Sequence, residues 1–450
     1  MELRTVIEEI KARVAIEEVI GRRVRLERRG ARFLGLCPFH PEKTPSFNVH
    51  SERGFFKCFG CGKAGDVFTF LQEAEGLDFG EALRLLADEA GVELPRFGKR
   101  EEDRPDLRKS MREALSRARN LYREALRKEP GGPAARYLAK RGLTPATVEA
   151  FGLGWAPRER GWLAAARGRA GFSEQVLTAA GLVLRAEGGG GLRDRFWERL
   201  IFPIADAAGR TVGFGGRCLP GSAAEERNMG KYINSPDGPL FPKRRLLYGL
   251  DRLSRALGEA PEAPILLCEG YLDVILLHQA GLTTAVAALG TALTGDHARR
   301  LRRFRRPLVL LLDPDRAGRE AAVRGARIFV AEGVDVRVAE LPEGKDPADL
   351  VAAGRGAEIR AEVARARDIL QWRLGTWTRR SDFQIPGVRA QAAREMAAWI
   401  GMTPDPALGD LWVRTASDGL GVTEESLRRL AGQGRRVPTV PAGLAPTPAL

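Results

Sequence analysis

The chain has 450 residues, 44 % hydrophobic and 29 % charged, a composition that excludes an intrinsically disordered protein. Its 72 Lys and Arg residues against 58 Asp and Glu residues give a net charge of +14, which favours a polyanionic partner but is equally compatible with a solvated basic surface. The amino terminus has no apolar signal region, no run approaches the roughly 18 apolar residues of a membrane span, and five cysteines are too few for a disulfide framework, so we expect a cytoplasmic protein without membrane contact.

Residues 1–97 are predicted to form the first domain. Apolar residues at helical spacing predict a helix near Thr5 to Val19, an arginine-rich strand and a Cys/His segment follow, and residues 67–90 are predicted to be helical. The next segment, residues 98–111, starts with charged residues and lacks large apolar side chains as far as Pro105. We therefore interpret it as a charged, flexible linker.

Two closely spaced pairs of metal-ligand residues lie within the first domain. Cys37 and His40 form one pair and Cys58 and Cys61 the other, and two such pairs at this separation are typical of a tetrahedral zinc site. Four protein ligands leave no open position, so we predict one structural zinc ion. A hairpin predicted between the pairs carries phenylalanines and lysines that could contact a single strand of nucleic acid, although core packing is the expectation for each phenylalanine.

The rest of the chain is predicted to form a mixed α/β body and a helical end. The body spans residues 112–365 and consists of an N-terminal subdomain at 112–261 and a parallel-sheet subdomain at 262–365. A helical subdomain at 366–432 follows, and the proline-rich tail at 433–450 is predicted to be disordered.

The parallel sheet is predicted from short apolar segments that alternate with amphipathic helices. The predicted strands are 265–268, 284–288, 308–312 and 334–340. In such sheets the functional groups gather at the carboxyl ends of the strands. We therefore look for chemistry directly after each strand.

Acidic residues follow three of these predicted strands. They are Glu269 with Asp273, Asp313 with Asp315, and Asp346 with Asp349. We expect these carboxylates to face one cleft, because the strand ends converge. Clustered carboxylates repel one another unless cations lie between them, and Mg²⁺ takes this set of oxygen ligands. A single acidic residue here is commonly a helix cap, but three such clusters favour a magnesium site.

A series of basic motifs precedes the parallel sheet. Cationic groups across from a metal site would bind a triphosphate and stabilise charge in its reaction, whereas a surface ion pair is the alternative for any one of them. The candidate nucleotide- or DNA-binding residues are Arg199, Arg217, Lys231, Asn234 and Lys243.

Three groups of motifs resemble one family. C-P-F-H-x-E-K-T-P-S-F from Cys37 to Phe47, with C-F-G-C-G-x-x-G-D from Cys58 to Asp66, resembles the zinc-binding domain of bacterial replicative DNA primases, which contacts template DNA. The elements E-G-Y-x-D and D-x-D-x-A-G resemble the topoisomerase–primase (Toprim) domain, and the basic segments resemble the groove motifs of primase polymerase domains. The implied fold class is multidomain α+β and α/β: a zinc ribbon, a mixed α/β polymerase core containing a Toprim sheet, and a C-terminal helical segment.

The resemblance also implies residue roles. In that family the glutamate is a general acid/base or metal ligand, and the paired aspartates hold Mg²⁺. Carried over, Glu269, Asp313 and Asp315 are catalytic, and Asp346 joins them as a ligand for two or three Mg²⁺ ions, for which Mn²⁺ can substitute. Two departures stand out: Asp313-Pro314-Asp315 replaces the frequent D-G-D, and Asp346-Pro347-Ala348-Asp349 replaces the usual D-P-D, so that a role for Asp349 in metal binding is open.

The implied activity is Mg-dependent synthesis of short RNA primers on single-stranded DNA. Its implied partners are the template and ribonucleoside triphosphates at cytoplasmic, nucleoid-associated replication forks. A replicative helicase is a further partner in the family, but we expect the domain that docks on it to be reduced or absent here, and we expect a monomer.

Two other functions stay open. A Toprim topoisomerase or nuclease is the first, although a topoisomerase needs a nucleophilic tyrosine and none of the five tyrosines has such a setting. A non-catalytic, zinc-dependent single-stranded-DNA-binding factor is the second, and only the displaced Asp349 favours it.

Overall fold

The computed structural model describes most of the chain between Leu3 and Gly434. The described residues are 3–30, 32–40, 42, 44–74, 77, 79–92, 94, 105–165, 172–185, 191–290, 292–312, 316–342 and 345–434. The predicted ligands Asp313 and Asp315 lie outside the described residues, as do residues 98–104 of the predicted linker and residues 435–450 of the predicted tail.

The amino-terminal domain is a five-stranded antiparallel sheet whose strand order follows the chain. Its strands are β1 (Glu27–Arg29), β2 (Arg32–Gly35), β3 (Phe47–His50), β4 (Phe55–Cys58) and β5 (Ala64–Asp66). Its helices are α1 (Leu3–Arg13), α2 (Ile16–Gly21), α3 (Val67–Ala74) and α4 (Phe79–Ala90). The predicted hairpin is confirmed as β3 and β4, which pair in antiparallel register.

The prediction of a single helix near Thr5 to Val19 is wrong. The chain forms α1 and α2, with Ala15 between them in an extended conformation. Residues Val14 and Ile16 lie about 200° apart around a continuous helix, so one straight helix could not turn both toward the sheet. The break instead lets Ile16 and Ile20 become buried.

A helix of 24 residues, α5 (Pro105–Lys128), leads into the body. It begins inside the segment predicted to be a linker, so the linker prediction is wrong for residues 105–111. The reason is visible in the spacing of its buried residues, because Met111, Leu115 and Ala118 recur at helical intervals and pack into the core of the body.

The N-terminal subdomain of the body is built on an antiparallel sheet with the strand order β11-β10-β9-β6. Its strands are β6 (Gly154–Ala156), β9 (Arg199–Ala205), β10 (Thr211–Cys218) and β11 (Tyr232–Asn234), and a separate pair is formed by β7 (Val183–Arg185) and β8 (Leu192–Asp194). The helices are α6 (Pro133–Lys140), α7 (Pro145–Ala150), α8 (Glu174–Ala179), α9 (Ala223–Glu226) and α10 (Leu250–Glu259). A short 3₁₀ turn covers Lys243–Arg245.

The parallel-sheet subdomain has six strands in the order β12-β14-β13-β15-β16-β17. They are β12 (Leu247–Tyr248), β13 (Ile265–Cys268), β14 (Ala285–Ala288), β15 (Leu308–Leu312), β16 (Val336–Glu340) and β17 (Arg367–Asp368). The central four are parallel, as predicted, and the two edge strands are antiparallel. The helices are α11 (Tyr271–Gln279), α12 (Gly295–Arg302), α13 (Arg316–Ala331), α14 (Pro347–Ala352) and α15 (Gly356–Ala364).

The carboxyl-terminal part is helical, as predicted. Its helices are α16 (Ile369–Thr378), α17 (Pro386–Met402), α18 (Pro406–Leu420) and α19 (Glu424–Gly434). They share one hydrophobic core with the strands of the parallel sheet, and Trp372 and Trp399 are its largest fully buried side chains. Among the described residues, no helix combines the length and the apolar character that crossing a lipid bilayer requires.

The zinc-ribbon domain packs against the body through polar contacts. Glu81 of α4 lies 2.8 Å from Arg300 and 3.3 Å from Arg245, and the Ser254 hydroxyl donates to the carbonyl of Ala74 at 2.7 Å. The predicted fold class is confirmed: a zinc ribbon precedes a mixed α/β core that contains a Toprim-type parallel sheet, and helices follow.

Candidate metal centres and nucleotide-binding face

The four predicted zinc ligands come together at the end of the ribbon hairpin. One ligand atom from each of Cys37, His40, Cys58 and Cys61 lies within 4.8 Å of the others. The sulfurs of Cys37 and Cys61 are 3.8 Å apart, and the Cys58 sulfur is 3.8 Å from His40 Nδ1. Zinc–sulfur bonds of about 2.3 Å at tetrahedral angles separate two sulfurs by about 3.8 Å. The observed spacing fits one zinc ion.

A carboxylate that the sequence reading missed organises this cluster. Glu42 Oε1 accepts hydrogen bonds from the backbone N–H groups of Cys37 (2.7 Å) and Ser46 (3.1 Å), and Glu42 Oε2 lies 3.3 Å from His40 Nε2. Burial alone would raise the pKa of Glu42, but the hydrogen bonds from Ser46 and Cys37 outweigh it and lower that pKa. The ionised carboxylate therefore orients the imidazole so that Nδ1 faces the metal.

The electrostatics of the cysteines show what the cluster requires. Burial raises the pKa of the Cys37 thiol, because a desolvated thiolate is costly without a cation. Burial acts in the same direction on Cys58, but hydrogen bonds from the Cys61 amide and the Ser46 hydroxyl outweigh it and lower the pKa of Cys58. Three soft sulfur donors and one imidazole in such a setting suit a closed, structural zinc site.

The aromatic residues of the ribbon divide into two kinds. Phe47 and Phe56 are fully buried and stack with their ring centroids 5.1 Å apart, so core packing is confirmed for both. Phe59, between the two ligands of the second pair, is 63 % exposed, and the Lys57 ammonium lies 5.3 Å from its ring centroid. The ribbon thus presents the Phe59 ring and the Lys57 ammonium to solvent side by side.

The register of the parallel sheet brings the ends of three strands to one edge. Strand β13 pairs with β15, and β15 pairs with β16, all in parallel, so these three strand ends are neighbours. Glu269 directly follows β13 and is exposed, and Asp346 lies in the segment after β16. The segment that carries Asp313 and Asp315 follows Leu312, the last residue of β15, but both aspartates lie outside the described residues.

The second acidic residue of the E-G-Y-x-D motif caps a helix. Asp273 Oδ2 accepts a hydrogen bond from the Gly270 amide at 3.0 Å, at the start of α11. This contact fixes the turn that carries Glu269. The role of Asp273 is therefore to position the turn, as a carboxylate at a helix amino terminus commonly does.

The third acidic cluster is held by contacts that the sequence did not reveal. Asp346 Oδ1 accepts from the Asp349 amide at 2.6 Å and caps α14, which leaves its second oxygen for another ligand. Asp349 Oδ1 accepts from Arg141 Nη1 at 3.1 Å. Asp349 is therefore paired with a guanidinium, whereas a metal-binding role for Asp346 stays a prediction.

Arg199 requires a correction. Its side chain is fully buried, and the guanidinium donates to the backbone carbonyls of Met229 (2.6 Å), Gly230 (3.0 Å) and Gly216 (3.3 Å). Burial lowers the pKa of Arg199. A side chain with no exposed surface cannot contact a nucleotide directly, so we assign Arg199 a positioning role for the loop that precedes Lys231.

Arg217 is held between aromatic rings. Its guanidinium carbon lies 4.9 Å from the Tyr137 ring centroid and 5.2 Å from that of Tyr232, and Nη1 donates to the Tyr232 hydroxyl at 2.8 Å. Arg141 directly follows helix α6, which carries Tyr137. Neither was predicted, because their partners lie far along the chain and nothing in the local sequence marks them.

Asn234 joins the two sheets of the body. Its Nδ2 donates to the carbonyl of Leu289 at 2.6 Å, and its Oδ1 accepts from the Tyr271 hydroxyl at 2.6 Å. The Tyr271 ring lies over Gly215, where an added Cβ would be 2.7 Å from the ring, so glycine is required there for close approach. The three segments that carry Tyr271, Gly215 and Asn234 thus meet at one contact.

Two lysines near this contact have no ion-pair partner in the described part of the chain. The ammonium groups of Lys231 and Lys243 have no hydrogen-bond or ion-pair partner among the described residues. Burial and the nearby Arg195 guanidinium lower the pKa of Lys243, and the carboxylate of Asp237 opposes them in part. Arg195 donates to the Asn234 carbonyl at 2.7 and 3.0 Å. Arg195 was not predicted from the sequence, although it lies only four residues before Arg199.

The five tyrosines do not offer a nucleophile. Burial raises the pKa of every one of them. They are Tyr122, Tyr137, Tyr232, Tyr248 and Tyr271. A tyrosine that attacks a phosphodiester needs activation of its hydroxyl, which burial opposes.

Family models match three consecutive parts of the chain. They are described as CHC2 zinc finger (residues 2–102), DNA primase catalytic core, N-terminal domain (residues 121–254), and Toprim-like (residues 266–351). The DNA primase of Deinococcus radiodurans is 43 % identical over 362 residues, which cover 79 % of this chain and 60 % of that protein. The DNA primase of Geobacillus stearothermophilus is 37 % identical over 97 % of this chain and 72 % of its own length.

Solved structures show the same likeness. The zinc-binding and RNA polymerase domains of the Aquifex aeolicus primase match with a TM-score of 0.63 and 30 % identity, over 94 % of this chain and 99 % of that one. A primase catalytic domain bound to single-stranded DNA matches with a TM-score of 0.62 and 30 % identity, over 72 % of this chain and 100 % of that one. The chain spans 60 % and 65 % of the curated relatives from Deinococcus radiodurans and Mycolicibacterium smegmatis. The chain belongs to the family of bacterial DNA primases.

Proposed function

We propose that this protein is a DNA primase that synthesises short RNA primers on single-stranded DNA by divalent-metal-dependent nucleotidyl transfer. The proposal rests mainly on one hydrogen bond that joins two surfaces of the molecule. The bond between Tyr271 and Asn234 links the strand end that carries Glu269 to the strand that follows Lys231. An acidic edge and a cationic face are thereby placed side by side.

The acidic edge fits Mg²⁺ by the chemistry of its donors. Glu269 is exposed directly after β13, and one oxygen of Asp346 is not engaged by the helix cap. Glu269, Asp313, Asp315 and Asp346 would hold the ions. When bound, such ions supply positive charge to the triphosphate and lower the pKa of the attacking hydroxyl.

The cationic face would bind the nucleotide. Lys231 and Lys243 form no ion pair among the described residues, so a triphosphate would bind them without breaking an existing ion pair. Arg195 adds a third cation near Lys243. Arg199 holds the loop before Lys231 through backbone carbonyls, which fixes where that ammonium lies.

The other two functions are supported less well. A Toprim topoisomerase needs an activated tyrosine, and burial raises the pKa of all five. A non-catalytic DNA-binding factor was favoured only by the displaced Asp349, whose carboxylate pairs with Arg141. That ion pair accounts for Asp349 without any loss of the edge formed by the other acidic residues.

The proposal is tested by incubating the protein with single-stranded DNA, labelled ribonucleotides and Mg²⁺ or Mn²⁺. Short RNA products are expected, and cleaved or relinked DNA would instead support a topoisomerase or nuclease. Lys243→Met should lower kcat/KM by about 10- to 100-fold, because a charge-assisted hydrogen bond contributes about 1.5–3 kcal/mol. Lys109→Met, on the exposed surface of α5, is the matched control and should retain full activity.

The remaining partners follow from this proposal. The template and the ribonucleotides are tested by the same assay, and a location at cytoplasmic replication forks follows from the activity. Binding of the replicative helicase is a separate question, and a pull-down with that helicase is the experiment that decides it.

A further inference from the structure

Six arginines lie between residues 299 and 306, and the structure divides them into two groups. Three of them have partners. Arg299 pairs with Glu332 at 2.6 Å, Arg300 pairs with Glu81 of the zinc-ribbon domain at 2.8 Å, and Arg303 donates to backbone carbonyls of that domain. These contacts stabilise the subdomain and its packing against the ribbon.

The other three have no such partner. Arg302, Arg305 and Arg306 make no side-chain hydrogen bond or ion pair with any described residue, and Arg306 Nε is buried without an acceptor. Arg305 also adopts a left-handed backbone conformation with φ 54°, which costs a residue other than glycine about 1–2 kcal/mol. The left-handed backbone ends the turn that follows helix α12, but the stability of the isolated chain does not explain the three charges.

These arginines line one cavity of about 660 Å³, together with Arg299 and Arg303. Two carboxylates also line it, but each is already paired: Glu73 with Lys63, and Asp335 with Arg337 at 2.8 Å. Arg302, Arg305 and Arg306 therefore line this cavity without an ion-pair partner among the described residues.

The cavity is separate from the catalytic edge. It lies beside Pro307, at the amino end of β15, whereas the acidic segment follows the carboxyl end of the same strand. Five strand residues at about 3.3 Å each separate the two ends by about 17 Å. An adjoining cleft is lined by Arg305, Arg306 and residues of the zinc ribbon, including Phe39 and Lys63.

We propose that Arg302, Arg305 and Arg306 bind backbone phosphates of a single-stranded template segment that runs between the zinc ribbon and the back of the parallel sheet. This inference rests on the proposed function. Guanidinium groups match phosphate oxygens in a planar fork, and their free charge releases counterions when a strand binds. The template of the proposed reaction is single-stranded, and the adjoining cleft adds the Phe39 ring and the Lys63 ammonium, the two kinds of group that single-strand sites combine.

The test is the salt dependence of DNA binding. The triple variant Arg302→Gln, Arg305→Gln, Arg306→Gln is compared with the unmodified protein on a fluorescent single-stranded oligonucleotide long enough to reach both domains. Each phosphate contact contributes about 0.7 to the slope of log K against log salt concentration, so the slope should become less steep by about 2. A short oligonucleotide that occupies only the catalytic groove should bind both proteins equally.

Two further variants serve as controls for the measured salt dependence. Gln at Arg394, Arg414 and Arg429, three exposed arginines of the carboxyl-terminal helices, removes the same charge elsewhere and should leave the slope unchanged. Arg305→Gly suits the left-handed backbone, so it should fold at least as stably as the unmodified protein and still lose about 0.7 of the slope.

The outcomes separate this inference from the proposed function. If the triple variant kept the same slope of log K against log salt concentration, the inference would be overturned. If the triple variant lost as much of this slope on duplex DNA as on single-stranded DNA, the claim that the site prefers a single strand would be overturned. Primer synthesis by the unmodified protein on a short template tests the proposed function alone. A protein that makes no RNA, but whose triple variant loses the slope, would refute the proposed function and still support the phosphate contact.

Discussion

The zinc cluster and the acidic edge of the parallel sheet are both candidate metal sites, yet they are built in opposite ways. The zinc ligands lie around the base of one hairpin, in a single stretch of the chain, and Glu42 and Ser46 hold them in place from within the same stretch. The acidic residues come from three strands that are distant in the sequence, and Glu269 is exposed to solvent. A closed, internally hydrogen-bonded set stabilises structure, whereas an open set of hard oxygen donors leaves room for substrate.

Loss of a zinc ligand should produce the largest effect. Cys58→Ser removes a fully buried thiolate, and a structural zinc site contributes on the order of 10 kcal/mol to folding. We expect zinc content to fall to background and the ribbon to become sensitive to protease while the body stays folded. Elemental analysis and limited proteolysis measure both effects. Cys268→Ser, in β13, should retain its zinc, and equal zinc loss in both variants would break the comparison.

Loss of an edge carboxylate should abolish activity but preserve the fold. Glu269→Gln is expected to lower the rate of primer synthesis by about 10²- to 10⁴-fold, equivalent to about 3–5 kcal/mol, with little change in Tm because the side chain is exposed. Asp313→Ala should likewise lower the rate of primer synthesis with little change in Tm. Glu262→Gln, just before the opposite end of the same strand, is the matched control. A collapse of Tm in Glu269→Gln would show that the carboxylate is structural.

Acid should distinguish the body from the ribbon. Burial lowers the pKa of His278 to about 4 from an ordinary value of 6.5, so the unfolded chain binds this proton more readily than the folded one. Stability is therefore lost as the pH falls from about 6.5 toward 4, by about 2.5 kcal/mol at pH 4.5. Urea unfolding of the body at pH 7.5 and 4.5 measures this loss, and His278→Asn should reduce it. An identical pH dependence in that variant would exclude His278 as the cause.

A substitution at the contact between the zinc-ribbon domain and the body should have the smallest effect. Glu81→Gln leaves Arg300, whose side chain is only 7 % exposed, without its carboxylate partner. We expect docking of the ribbon to weaken by about 1 kcal/mol and protease cleavage between residues 91 and 105 to accelerate about fivefold. Glu89→Gln, on the same helix but paired with Arg22 inside the ribbon, should leave the cleavage rate unchanged.

The sequence was most informative where the determining residues are close together. The zinc ligands, the ribbon hairpin and the parallel strands were all predictable, because each depends on spacing or on apolar runs within a few residues. The same local reading failed at Val14 and at Pro105. At Val14 the apolar spacing changes and the helix breaks, and at Pro105 charged surface residues concealed the buried face of α5.

The rest of the site depends on contacts between distant segments. Arg141 reaches Asp349 across 208 residues, so no local pattern could indicate that pair. Arg199 looked like a groove cation because its motif resembles one, but only the fold shows that its guanidinium is turned toward backbone carbonyls. Sequence thus identified which motifs matter, and the structure assigned their residues to contact or to support.

The hydrogen-bonded contact of Asn234 with Tyr271 and with the carbonyl of Leu289 has an evolutionary consequence. A change at position 271 that removes the phenol leaves the amide oxygen of Asn234 without its donor, and a change at 234 does the reverse. Together with position 215, which must stay small beneath the ring, these positions should therefore vary in concert among related chains, even though they are remote in sequence.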